Sequence, residues 1–150
     1  MNSEPITYDK SRWGVGEWNN EPDRDQWVHA GFACLIVRNG SGSWCGYVGV
    51  PSDHPDYGKD YDEVDAEVHG GLTYASACAG NICHVPAAGM PDDVWWLGFD
   101  TAHGGDVVPF VAGFAATHLA FPDLGGTYKN LSYIKAETNR LAEQLAEAPQ

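Results

Sequence analysis

Two apolar runs separated by five turn-forming residues constrain this chain more than any other feature. Residues 31–37 are a compact apolar run, Asn39-Gly40-Ser41-Gly42-Ser43 supplies turn chemistry, and residues 44–50 return with side chains that favour strands. The pattern predicts a β-hairpin carrying Cys34 and Cys45 as packing residues. Further strands are expected over 67–74 and 94–99, separated by a small-residue stretch that includes 77–80 and 86–91. Of the neighbours Trp95 and Trp96, one ring should face the core and the other the opposite side of the sheet.

From Thr127 the period changes. Leu131, Ile134, Thr138, Leu141 and Leu145 recur at alternating spacings of three and four, which places them on one helical face. Gly125-Gly126 offers a start and Pro149 lies beyond the end, so the helix is expected over 127–147. Residues 1–27 mix Trp13, Trp18 and Trp27 with Gly14, Gly16, Asn19, Asn20 and Pro22 without a period, as an irregular segment laid over the core would. Residues 51–65, with two prolines, Gly58, His54 and five aspartates, suit a surface loop able to cover a ligand. The Gly- and Pro-rich stretch 104–126 is expected to be a loop partly packed on the core. The reading is α+β: one domain over 1–150, with a small, mostly antiparallel sheet packed against one long C-terminal helix.

Composition narrows the partners. A hydrophobic fraction of 43% with 6 Trp, 7 Tyr and 5 Phe excludes wholesale disorder. The formal charge of −13 repels duplex nucleic acid and anionic membranes, although a recessed pocket with backbone N–H groups and a Lys can still hold a small phosphorylated ligand. No stretch approaches the roughly 20 apolar residues of a membrane span. Met1 to Lys10 shows no basic patch followed by an apolar run, so the expectation is a cytoplasmic protein whose Cys34, Cys45, Cys78 and Cys83 are reduced thiols.

Chemistry is expected where apolar strands run into His, Asp and glycine. Val68-His69-Gly70-Gly71-Leu72-Thr73-Tyr74 and the segment from Trp95 to Asp106 both do so. Asp100, His103 and Asp106 are spaced three apart, and with His69 they could supply nitrogen and oxygen ligands to a divalent metal such as zinc or manganese. Without a metal, His69 or His103 takes a proton and Asp100 orients the imidazole. In the plainer reading Asp100 caps the turn after its strand and His103 bonds a carbonyl. Thr73, Ser76 and Cys83 are conceivable nucleophiles, but Gly-x-Ser-x-Gly is absent. Cys78 and Cys83 with His84 form only a fragment of a zinc site. A ligand pocket would draw on Gly70, Gly71 and Thr73, with Tyr57 and Tyr61 stacking a base or sugar and Lys59 meeting a phosphate.

The segments Trp44-Cys45-Gly46-Tyr47-Val48-Gly49-Val50-Pro51, 68–74, 95–100 with His103 and Asp106, and the helix over 133–145 resemble a group of short uncharacterised proteins encoded in phage and bacterial genomes. The resemblance extends from about Trp27 onward. It implies a phage or mobile-element accessory role and transfers no catalytic residue, since the group has no established activity. Three functions follow: a binder of a small, nucleotide-like ligand; a small metal-dependent phosphoesterase using His69, Asp100 and His103; and an acidic inhibitor of a host protein.

Overall fold

A computed structural model describes residues 10–80, 82, 83, 93–103, 105–118 and 126–147, except the side chains of 12 and 117. Five strands form one sheet: β1 (Arg24–His29), β2 (Phe32–Arg38), β3 (Trp44–Val50), β4 (Tyr74–Ala77) and β5 (Trp95–Asp100). Their order is β1-β2-β3-β5-β4 and every pair is antiparallel. Two helices follow, α1 (Pro109–His118) and α2 (Leu131–Ala146). The fold is the expected α+β arrangement.

The predicted hairpin is β2–β3. Its turn closes through Asn39 N–H to the Ser43 carbonyl (2.8 Å), and the Asn39 side chain accepts from the Ser41 and Ser43 amides (2.9 and 3.1 Å). Alternation then splits the apolar side chains between two faces. Cys34, Ile36, Val48, Leu97 and Phe99 face Ile134, Leu141, Ala142 and Leu145 of α2, whereas Leu35, Val37, Tyr47 and Trp96 pack on the other side. Trp96 is therefore buried on the far face while Trp95 packs against the α2 side, as expected of adjacent strand residues. Gly46 lets the helix seat closely, because a Cβ there would run into Thr138 Oγ1 and the Phe99 ring.

Several local expectations are corrected. The irregular N-terminal segment ends before Trp27, since Arg24–His29 is a polar edge strand joined to β2 by Ala30 and Gly31, at φ 55° and 85°. That is a two-residue turn with both residues left-handed, and Ala-Gly lacks the usual Asn-Gly signature. Trp13 and Trp18 are buried, as a segment covering the core requires. Within 67–74 only Tyr74 is strand, because the chain turns at 68–71, where Gly71 N–H meets the Val68 carbonyl (2.9 Å). The stretch 104–126 contains α1, fastened to the hairpin turn by Phe110 N–H to the Ser41 carbonyl (3.0 Å). The C-terminal helix starts at Leu131 rather than 127, because Thr127 pairs with Asp106 and the Asn130 side chain caps the Tyr133 amide (3.0 Å).

Cys78 and Cys83 form a disulfide rather than two thiols, which also removes Cys83 as a nucleophile and both sulfurs as metal ligands. Cys34 and Cys45 are free and buried, and burial pushes both thiols up to about 12, leaving them unreactive packing residues. His84, the stretch 86–91, Gly104 and Gly125 lie outside the described residues. No helix among the described residues is long and apolar enough to cross a membrane.

Candidate functional site

His69 stands in the turn before β4, its amide donating to Glu137 Oε2 of α2 (2.7 Å), a carboxylate also held by Arg140. Its ring is gripped at both nitrogens. Nε2 lies 2.8 and 2.9 Å from the two Asp106 oxygens, and Nδ1 lies 2.8 Å from the Tyr133 hydroxyl. Asp106 also accepts from the His103 amide (3.0 Å) and Lys129 Nζ (2.9 Å), and its side chain is only 2% exposed. Burial alone would raise its carboxyl, but the bonds from His69, the His103 amide and Lys129 outweigh burial and hold it below the ordinary carboxylate range. Asp106 is therefore an ionised acceptor and His69 Nε2 carries the proton. Burial, with the Glu137 and Asp106 carboxylates, pushes the Tyr133 phenol up, so it stays protonated and donates to Nδ1. The result is a directed chain: Tyr133 to His69 to Asp106, closed by Lys129.

His103 lies beside this chain with its ring centroid 5.9 Å from that of His69. The ring covers Gly70, where φ is +70° and a Cβ would collide with the imidazole. Gly70 thus admits His103 rather than a ligand. His103 Nε2 is 3.1 Å from Asp100 Oδ1, yet it is out of line for a hydrogen bond, shielded from water and without a hydrogen-bond partner. Asp100 is fixed by the Ala102 amide (3.0 Å) and the Thr73 hydroxyl (3.2 Å). Thr73 in turn is anchored by its amide on the Gly98 carbonyl (2.9 Å). The side chains of Asp100 and His103 are about one-third exposed, at 30% and 34%. Asp100 does cap its turn, as the plainer sequence reading has it, but the His103 ring faces a carboxylate.

The four residues proposed as metal ligands meet, but as one hydrogen-bonded pair, His69 with Asp106, and one ion-pair contact, His103 with Asp100. Among the described residues no group of three or more His, Cys, Asp or Glu is placed to hold a metal ion. The physical reason is that Asp106 is already filled by N–H donors and by the Lys129 ammonium, and His69 Nε2 bears a proton where zinc or manganese needs a lone pair. The ligand set also divides. Gly71 and Thr73 remain near the histidines, whereas Tyr57, Lys59 and Tyr61 gather at the opposite end of β5. There Trp95 donates to the Lys59 carbonyl (2.9 Å), and its ring centroid lies 6.0 Å from that of Tyr57. Six strand residues put those ends about 16 Å apart, too far for one small ligand pocket. Lys59 pairs with Asp56 (3.3 Å) on a cleft of about 600 Å³ that also presents Glu63, Asp65, Glu67 and Glu147, so a phosphate finds no net positive site there. His54 fastens this loop to the helix end, with Nε2 2.8 Å from the Leu145 carbonyl.

Tyr133, Lys129 and Glu137 escape sequence reasoning as site residues. The one available signal is the spacing of Tyr133 and Glu137, one helical turn apart and off the apolar stripe. No family model, curated protein or solved structure matches the chain.

Proposed function

We propose that the protein acts on a small ligand by metal-independent acid–base catalysis of the hydrolase type, with His103 exchanging the proton. The observation that carries this reading is His103 Nε2, which lies beside Asp100 without a hydrogen bond, next to a second histidine whose nitrogens are both satisfied. A shielded polar nitrogen without a partner carries an energetic cost that a merely structural histidine would relieve by turning to a donor or acceptor. In this reading the partly exposed His103 ring turns to bring its nitrogen to a water, and takes that water's proton as the water oxygen bonds the carbonyl carbon of an ester. The ester C–O bond then breaks and the imidazolium returns the proton to the leaving oxygen. Asp100 stabilises the imidazolium, and the Asp106 carboxylate positions the His103 backbone.

The test is hydrolysis of 4-nitrophenyl acetate by folded protein, by unfolded protein and by His103→Gln, each with and without EDTA. The expected outcome is turnover above the unfolded control, unaffected by chelator and reduced about 10²–10⁴-fold in the variant. Equal rates in wild type and variant would remove His103 from the chemistry. Sensitivity to EDTA would restore the phosphoesterase with a metal. A small molecule retained without turnover would leave a ligand-sequestering protein, the accessory role implied by the phage resemblance.

A further inference from the structure

We infer that this site selects against anions, phosphate esters among them, and takes a neutral or cationic substrate, with Asp100 as the selecting residue. The inference rests on the acid–base reading of His103 and adds the substrate class. Groups that would greet an anion are already occupied by the protein's own acceptors. Lys129 Nζ lies 2.9 Å from Asp106 Oδ1 and Arg140 Nη2 lies 3.1 Å from Glu137 Oε2, so neither cation has a charge to spare. Among the described residues the only ion-pair partner of Asp100 is His103. The local balance is thus one net negative charge while the histidines are neutral, set in a chain of formal charge −13.

Backbone donors tell the same story. A phosphate is held by amides at turns and at helix N-termini. Here the His69 amide donates to Glu137, the His103 amide to Asp106 and the Ala102 amide to Asp100. At the start of α2, the Leu131 amide donates to Glu21 Oε2 (2.7 Å) and the Tyr133 amide to Asn130 (3.0 Å). Side-chain oxygens of the protein occupy these five amides, which a phosphate would otherwise use. An incoming anion meets the Asp100 carboxylate beside the reacting nitrogen. A neutral ester meets no such penalty, and a cation is drawn in.

Alkylation of His103 reads this directly and needs no turnover. Iodoacetamide and iodoacetate transfer carbon to imidazole nitrogen by the same displacement of iodide, and they differ in charge. Rates at His103, followed by peptide mapping and divided by those for N-acetylhistidine, are expected to favour iodoacetamide about tenfold at low salt, the lower end of electrostatic selection. In 1 M NaCl, where the Debye length falls to about 3 Å, the preference should shrink toward one, and Asp100→Asn should shrink it at low salt. Asn keeps an oxygen to accept from the Ala102 amide, so the turn is retained. Iodoacetate reacting as fast or faster overturns the charge selection and leaves the acid–base reading standing. An unchanged preference in Asp100→Asn overturns Asp100 as its cause. No modification of His103 by either reagent overturns both readings, because the nitrogen is then beyond the reach of small molecules.

Discussion

Two charged clusters in this molecule are built from similar groups and end differently. In the first, Arg38, whose side chain is 0% exposed, donates to Glu21 (2.8 Å) and Asp23 (2.9 Å), to the Gly42 carbonyl and to the Tyr128 hydroxyl. Its guanidinium also lies 4.3 Å from the Trp44 ring centroid. Glu21 accepts further from Tyr128, Trp44 and the Leu131 amide, so the N-terminal segment, the hairpin and the start of α2 share one carboxylate. In the second cluster, His69 and Asp106 are equally well bonded, but His103 keeps a nitrogen without a hydrogen bond and a third of its side chain in solvent. Complete satisfaction under full burial marks a staple, whereas a partly exposed side chain with a nitrogen lacking a hydrogen bond marks a place where something else can bind.

The largest expected effect breaks the first cluster. Arg38→Met leaves Glu21 without its cation and Asp23 with Lys10 Nζ (3.0 Å) in place of two, and should cost about 3–5 kcal/mol in urea unfolding, a large share of the stability of an ordinary domain. A loss below about 1 kcal/mol, the worth of an exposed pair, would end the description of this cluster as a staple.

Acid sharpens the comparison at intermediate size. Burial works to raise Glu21, but the bonds from Tyr128, the Leu131 amide, Arg38 and Trp44 hold it below the ordinary carboxylate range, as Asp106 is held in the other cluster. A carboxyl depressed in the folded state binds its proton more readily in the unfolded chain, so falling pH favours unfolding. Stability from both groups is present above the ordinary carboxylate range near pH 4 and is lost as pH falls through their lower folded values. Asp106→Asn, which retains an acceptor oxygen, should cost about 1.5–3 kcal/mol at neutral pH and make the acid limb shallower. An acid limb identical to that of wild type would show that Asp106 is not depressed.

The smallest stability effect belongs to His103. Its ring donates no hydrogen bond that the fold uses, so His103→Gln should change the unfolding free energy by no more than about 0.5 kcal/mol, the range of ordinary surface changes. Alongside the loss of turnover expected above, that separation is the signature of a group kept for chemistry. A loss of 2 kcal/mol or more, of the order of a named structural mechanism, would move His103 to the side of Arg38.

Much of the frame was legible and little of the site was. Residues 31–50 announce a hairpin because apolar runs and a Gly/Ser turn are local signals, and the stripe from Leu131 to Leu145 announces a helix for the same reason. Strand β1 was hidden by its polar edge composition and by a turn built on Ala30-Gly31. Helix α1 was hidden because its Gly and Pro content reads as loop. At the site, His69, Asp100, His103 and Asp106 were visible as residue types at strand ends, but the idea that Tyr57, Lys59 and Tyr61 join them failed, since those residues sit at the far end of β5.

The sequence by itself determined the α+β class, the hairpin, the docking face of the last helix and the acidic charge, because periodicity and composition act over a few residues. Only the tertiary structure decided which histidine meets which carboxylate. The partners of His69 lie 37 and 64 residues away along the chain, at Asp106 and Tyr133. They meet because β5 pairs between β3 and β4 and because α2 seats against Gly46. Contacts over such separations depend on how the elements pack, and no local pattern encodes that.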